Sequence, residues 1–160
     1  MKLFLEQGTR AAKRIAPAAC EAKDLGNGCW VKYAPRAFPP DVEAQLFKSL
    51  QTDIDWQERP VVVMGRRVLQ PRLVAYQASS PAFSYTYSRV TVVPEAWHPT
   101  VESIKRCVES IVGESFNSCL LNYYRDGNDH LSWHSDNEPL YGPNPTIGMV
   151  ACEDKVYACL

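Results

Sequence analysis

The sequence predicts a mainly β domain with flanking helices, an α+β chain, on three observations. Residues 60–93 are rich in Val, Tyr, Thr and Phe and are broken by Gly65, Pro71 and Pro81, the composition of strands with irregular joins. Two stretches, beginning at Asp41 and at His98, repeat their apolar residues at helical spacing. From Ser115 onward the apolar period falls to two. With 160 residues, 46% of them hydrophobic, the chain can bury one genuine core.

Taken in order, residues 1–28 mix Ala, Lys and Gly without sustained periodicity and read as a disordered N-terminal arm. An organelle transit peptide is the alternative, and the apolar run near the start is too short to span a bilayer. The domain proper is expected over residues 29–160. In "CWVKYAPRAF" apolar and polar residues alternate until Pro39 and Pro40 stop a short strand and turn. Asp41 then caps a helix whose Val42, Leu46, Phe47 and Leu50 form a stripe ending near Thr52. "HPTVESIKRCVESIVG" is a second helix: Pro99 suits its first turn, Val101, Ile104, Val108 and Ile111 line one face, and Gly113 suits its exit. "SFNSCLLNYYRDGNDHLSWHSD" reads as a hairpin around a turn at Asp126–Asp129. Its first strand would place Leu120, Asn122 and Tyr124 on one face, and its second His130, Ser132, His134 and Asp136.

The net charge of -1 gives no whole-chain signature of a nucleic-acid or membrane binder. Charge is nevertheless polarised: Arg59, Arg66, Arg67, Arg72 and Arg89 fall in a stretch without a single acid. The six cysteines form no C-x-x-C pair and read as reduced thiols of an intracellular protein.

His134 and Asp136, two apart on a strand, could offer one imidazole and one carboxylate to a metal from the same face. With a distal histidine, such a pair makes the facial triad of Fe(II) oxygenases, which leaves three positions open. H-x-D alone is more often a satisfied surface or core pair, and Tyr124 alone a half-buried strand aromatic. His130 reads as a neighbour of the ligands or a solvated side chain.

The wider segment "LNYYRDGNDHLSWHSDNEP" resembles the AlkB family of Fe(II) and 2-oxoglutarate dioxygenases, particularly the nucleic-acid repair branch typified by the second and third mammalian homologues. "QPRLVAYQ" and "FSYTYS" are similar to that branch too, and the resemblance runs from about residue 30 to about residue 148. It implies a double-stranded β-helix, or jelly roll, with strands from about residue 116 and an N-terminal nucleotide-recognition extension covering the pocket at about 59–93. It further implies that His134 and Asp136 ligate iron, that Asn122 and Tyr124 bind 2-oxoglutarate, and that Glu138 sits near the target base. Arg72 and Tyr76 are the implied substrate contacts within a segment whose arginines and aromatics, Phe83, Tyr85 and Tyr87 among them, suit phosphates and stacked bases. Ordinary strand packing and a solvated basic face are the bland alternative for most of them.

No histidine follows His134 and no arginine follows Arg125, so the distal iron ligand and the arginines that clamp 2-oxoglutarate have no candidate here. Cys152 and Glu153 are poor substitutes. With roughly three strands after residue 116 against the eight or so of a jelly roll, the expectation is an incomplete jelly roll from a truncated or alternatively ended product. The implied reaction is oxidative demethylation of 1-methyladenine and 3-methylcytosine in DNA or RNA, using Fe(II), 2-oxoglutarate and O2 and releasing formaldehyde, succinate and carbon dioxide. The rival expectation is an inactive fragment that binds nucleic acid or a partner. A nuclear monomer without membrane contact is expected, or an organellar one, and "MKLFLEQ" faintly resembles a motif that reaches the replication clamp.

Overall fold

Regular structure begins ahead of Cys29. Strand β1 (Glu21–Gly26) pairs antiparallel with β2 (Cys29–Tyr33) across a two-residue turn. Asn27 and Gly28 both take positive φ, 55° and 77°, the geometry that Asn-Gly favours between antiparallel strands. The Asp24 carboxylate accepts the Gly26 amide at 2.7 Å and closes the corner. A computed structural model describes residues 20–87, 90–134, 141–152 and 156–160, and the chain divides into two compact units.

The first unit comprises the chain up to Thr52 together with His98–Phe116. Among the described residues it holds the hairpin and two helices, α1 (Pro40–Asp53) and α2 (Pro99–Val112). Their bounds follow the sequence closely because the punctuation is chemical. Pro39 offers its carbonyl to the amides of Val42 and Glu43, and α1 then buries Val42 and Leu50. His98 caps α2 through Nδ1, which accepts the Thr100 amide at 3.3 Å, with Pro99 in the first turn. Gly113, at φ 84°, ends α2 in the left-handed region and returns its amide to Glu109 at 2.8 Å. Val101, Ile104, Cys107 and Val108 form the buried stripe. The Ser49 and Thr100 hydroxyls share a 2.6 Å hydrogen bond between the helices, and Lys32 of β2 donates to the last-turn carbonyl of Val112 at 3.5 Å.

The second unit, Asp53–Trp97 with Asn117–Leu160, is built on a five-stranded antiparallel sheet of order β3-β4-β7-β9-β8. The strands are β3 (Gln57–Val63), β4 (Arg66–Ala78), β7 (Ser118–Tyr123), β8 (Met149–Cys152) and β9 (Val156–Cys159). A separate ribbon pairs β5 (Tyr85–Tyr87) with β6 (Val90–Val92). Met64 and Gly65, both at positive φ, turn β3 into β4.

Pro71 interrupts β4 without ending it because it falls in a bulge. Glu58 pairs with Leu73 and Pro60 with Leu69, leaving Gln70, Pro71 and Arg72 opposite Arg59. Pairing of β4 with β7 starts only at Leu73, so the missing amide of Pro71 costs the ladder nothing. Beyond the bulge, alternate residues are buried on both sides. Ala75, Gln77, Cys119, Leu121, Cys152, Val156 and Ala158 fill one face, and Val74, Tyr76, Ala78 and Asn122 lie on the other.

The hairpin expected over residues 115–136 does not form. Its first strand is β7, but both edges of β7 are occupied, by β4 and by β9, so no edge remains for the segment that follows. Tyr124–His134 is irregular, and His130, Ser132 and His134 therefore share no strand face. The described residues are mainly β, with two helices and antiparallel sheets, as the sequence predicts, and after residue 116 they form β7, β8 and β9.

Candidate active site

The site is set by the end of β7. Side-chain alternation turns Asn122 away from the face that buries Cys119 and Leu121, and the register places it opposite Val74 of β4. Asn122 is 5% exposed, and among the described residues its Oδ1 has no hydrogen-bond partner. A buried polar atom left unpaired costs about 1–3 kcal/mol, a burden typical of a position that awaits a ligand. Half a turn of the amide presents its NH2 to the same spot, so the position can equally offer donors to a carboxylate.

Two residues further on, half-buried Tyr124 lies across from Arg72. The phenolic oxygen accepts from Arg72 Nη1 at 3.4 Å, while Arg72 Nε donates to Gln70 Oε1 at 2.9 Å. The bulge at Pro71 produces this arrangement: it turns Gln70 and Arg72 toward one another and brings a cation beside the Tyr124 hydroxyl. Arg72, Gln70 and Tyr124 thereby form one polar group, next along the chain from the buried Asn122. Gln70 is the member the sequence reading missed, and its place directly before Pro71 in "QPR" was the available signal.

Tyr76 is placed differently from the expectation of an open stacking surface. It is 7% exposed, and its hydroxyl donates to the Phe83 carbonyl at 2.7 Å. That bond ties β4 to the 3-10 turn Pro81–Phe83, where the Ser80 hydroxyl accepts the Ala82 amide. Tyr85 and Tyr87 fall on β5, Phe83 is partly exposed, and Arg66 and Arg67 are exposed beside the β3–β4 turn.

Downstream, His134 is exposed and its Nδ1 lies 2.9 Å from the Ser132 carbonyl. A carbonyl only accepts, so this bond requires a proton on Nδ1 and leaves the lone pair of the neutral ring on Nε2, the form in which histidine binds metals. His130 repeats the geometry with the Asn128 carbonyl, also at 2.9 Å. Asp136, Glu138, Arg89 and Glu153 lie outside the described residues. Among the described residues no three His, Cys, Asp or Glu side chains are grouped to hold a metal ion. Cys152 is buried on the sheet face opposite Asn122, which removes it as a substitute ligand beside that group.

A second cluster joins Tyr124 to the His130–His134 stretch. Arg125 grips Asp129 through Nε to Oδ2 at 2.7 Å and Nη2 to Oδ1 at 2.9 Å, and its backbone amide donates to the same carboxylate at 3.0 Å. These bonds hold the Asp129 carboxyl down at about 2, below the usual carboxylate range, while the carboxylates around Arg125 push its guanidinium further up. Burial, with the nearby Cys159 thiol, raises the Cys119 thiol far above its ordinary value, and burial raises Cys107 as well, so both remain protonated.

Residues 31–151 match the 2OG-Fe(II) oxygenase superfamily. Among curated proteins, the chain is 36% identical over 135 residues to the DNA oxidative demethylase ALKBH2 of Arabidopsis thaliana, covering 81% of this chain and 43% of that protein. It is 39% identical over 107 residues to the alpha-ketoglutarate-dependent dioxygenase alkB homolog 3 of Bos taurus, covering 66% of this chain and 36% of the relative. Human ALKBH2 is 32% identical over 119 residues, covering 71% and 45%. The chain thus spans less than half the length of these relatives. Matched to the family model through most of its length and to these relatives at 32–39% identity, the chain belongs to the AlkB family of Fe(II)/2-oxoglutarate-dependent dioxygenases.

Proposed function

We propose that this chain serves the oxidative demethylation of alkylated bases, 1-methyladenine and 3-methylcytosine, in DNA or RNA. The observation that carries the reading is the buried Asn122 side chain, whose Oδ1 has no hydrogen-bond partner among the described residues, two positions before the Tyr124 that meets Arg72. The names of the relatives, a DNA oxidative demethylase and an alpha-ketoglutarate-dependent dioxygenase, agree with it.

In this reading Asn122 and Tyr124 orient the cosubstrate by amide and phenol hydrogen bonds. Arg72 lends positive charge next to the Tyr124 hydroxyl and lies at the edge of the base pocket. His134 presents Nε2 to iron, with Asp136 as the second ligand. Glu138, outside the described residues, would sit near the target base, and Tyr76, tied through its hydroxyl to Phe83, would be a substrate contact. Iron(II) held by His134 and Asp136 would activate O2, the oxidant, and 2-oxoglutarate would supply two electrons as it leaves as succinate and carbon dioxide, so that one oxygen atom goes to the base methyl. Extruding a base from a duplex costs a few kcal/mol, which the exposed Arg66 and Arg67 help offset through phosphate contacts. The jelly roll with a nucleotide-recognition extension, a 29–160 domain, a monomeric state and a nuclear site of action belong to the same proposal. The clamp-like "MKLFLEQ" lies outside the described residues. Among the described residues no helix is long and apolar enough to cross a membrane.

The test is anaerobic titration calorimetry of Fe(II) into the purified chain, with and without 2-oxoglutarate, beside His134→Ala. Stoichiometric binding that the substitution abolishes, followed by formaldehyde release from a methylated oligonucleotide, is expected. A folded chain that takes up no Fe(II) would reduce the reading to common ancestry and leave binding of nucleic acid or a partner as its role.

A further inference from the structure

Between Tyr124 and His130 the chain makes a closed ring rather than a hairpin turn. Asp126 opens it by accepting the Asn128 amide on its side chain at 2.8 Å and the Asp129 amide on its carbonyl at 3.2 Å. Asp129 closes it: both of its oxygens are taken by the Arg125 guanidinium and one also by the Arg125 backbone amide. The remaining reach of Arg125 goes to Glu58 of β3, with Nη1 3.4 Å from Oε1. The Asp129 side chain is 7% exposed although it sits in a loop, so this is no loose surface pair.

Such a ring has a mechanical task that the sheet cannot perform. The strand that bears Asn122 and ends just before Tyr124 has no free edge, so the ladder does nothing to fix where the following segment goes. A planar guanidinium held at two oxygens is directional in a way that a point charge is not. Arg125 adjoins Tyr124, and Asp129 adjoins His130, whose ring is seated on the Asn128 carbonyl within the ring itself. We infer that the Arg125–Asp129 clasp, braced on Glu58, is the positioning device that sets His134 relative to Asn122 and Tyr124. Arg125 is thus a positioning residue for metal binding. This rests on the reading of His134 as an iron ligand.

The experiment measures Fe(II) affinity under anaerobic conditions and the visible ligand-field spectrum of the Co(II)-loaded chain. The variants are Arg125→Gln, Asp129→Asn and Arg125→Lys, with His134→Ala as reference. Arg106→Gln, which removes an exposed ion pair to Glu102 on α2, is the control. Arg125→Gln and Asp129→Asn should each weaken Fe(II) binding about 10- to 100-fold, the range for residues that orient metal ligands. Their combination should be no worse than either alone. Arg125→Lys, which keeps the charge and loses the fork, should recover part of the affinity yet retain an altered Co(II) spectrum. Arg106→Gln should change neither. Wild-type affinity and spectrum in Arg125→Gln, with binding abolished in His134→Ala, would overturn the clasp and leave the iron reading standing. Wild-type affinity in His134→Ala would overturn the iron reading and the clasp with it. An affinity loss in all variants that simply follows their melting temperatures would also overturn the positioning role. If Arg125→Gln fails to fold, Arg125→Lys and Asp129→Asn decide by the same criteria.

Discussion

Asn122 occupies a position where an apolar side chain would stabilise the sheet better, since its buried oxygen has no partner among the described residues. Replacing it with Ala removes an unsatisfied group and should leave the melting temperature unchanged or higher, while 2-oxoglutarate affinity falls about 10- to 100-fold, as for loss of a hydrogen bond to a charged group. Unchanged 2-oxoglutarate affinity in a calorimetric titration would remove Asn122 from the site. Asp129 makes a pH prediction. Its folded value lies at about 2, below the ordinary 3.8 it has in the unfolded chain, so its stabilisation is fully present above that unfolded value and fades as pH falls toward 2. Acid unfolding of Asp129→Asn should therefore be flatter than wild type between those limits, and the two should track one another near neutrality. Neither residue's role was legible in composition. Asn122 is marked by the resemblance, but its burial shows only in the strand register, and Asp129 stands four residues after Arg125, a spacing that means little outside a helix.

At the scale of elements, helices were read almost to the residue because their ends carry their own chemistry. His98 is the instructive case, a cap that accepts through Nδ1 where Ser, Asp or Asn would use an oxygen. His98→Ala should cost about 0.5–2 kcal/mol, and His98→Asn should restore most of it, both read from denaturant unfolding. Strands were read as segments but not as partners. Period two in "SFNSCLLNYY" announces a strand, whereas its neighbours β4 and β9 lie far off along the chain and leave no local mark. The expected second strand failed for that reason, and with it the shared face of His130, Ser132 and His134. The hairpin β1–β2 was overlooked in the opposite way, since its Asn-Gly turn was in plain view within a stretch judged by composition alone.

At the scale of the whole molecule, the family was legible from one run of residues, and the structure adds where its side chains meet. What composition could not supply was the depth of the core. Leu121 is 0% exposed at the centre of the sheet, on the face opposite Asn122. Leu121→Ala should cost about 2–5 kcal/mol through lost burial and the cavity left behind. Measured against Asn122→Ala one position along, it separates the two faces of β7: one substitution lowers the unfolding midpoint with cosubstrate affinity little altered in the folded fraction, and the other does the reverse.

The bulge at Gln70–Arg72 divides β4 into segments with different amide lifetimes. Toward its end the strand is flanked by β7 and joined to the start of β3, while Arg66–Leu69 leans on β3 alone. Deuterium should therefore enter the Met64–Leu69 arm through local fraying and reach Val74–Gln77 only through the larger openings that disrupt the sheet. The arm beyond Pro71 can then be shortened, extended or exchanged for another loop without disturbing the hydrogen-bonded frame around Asn122.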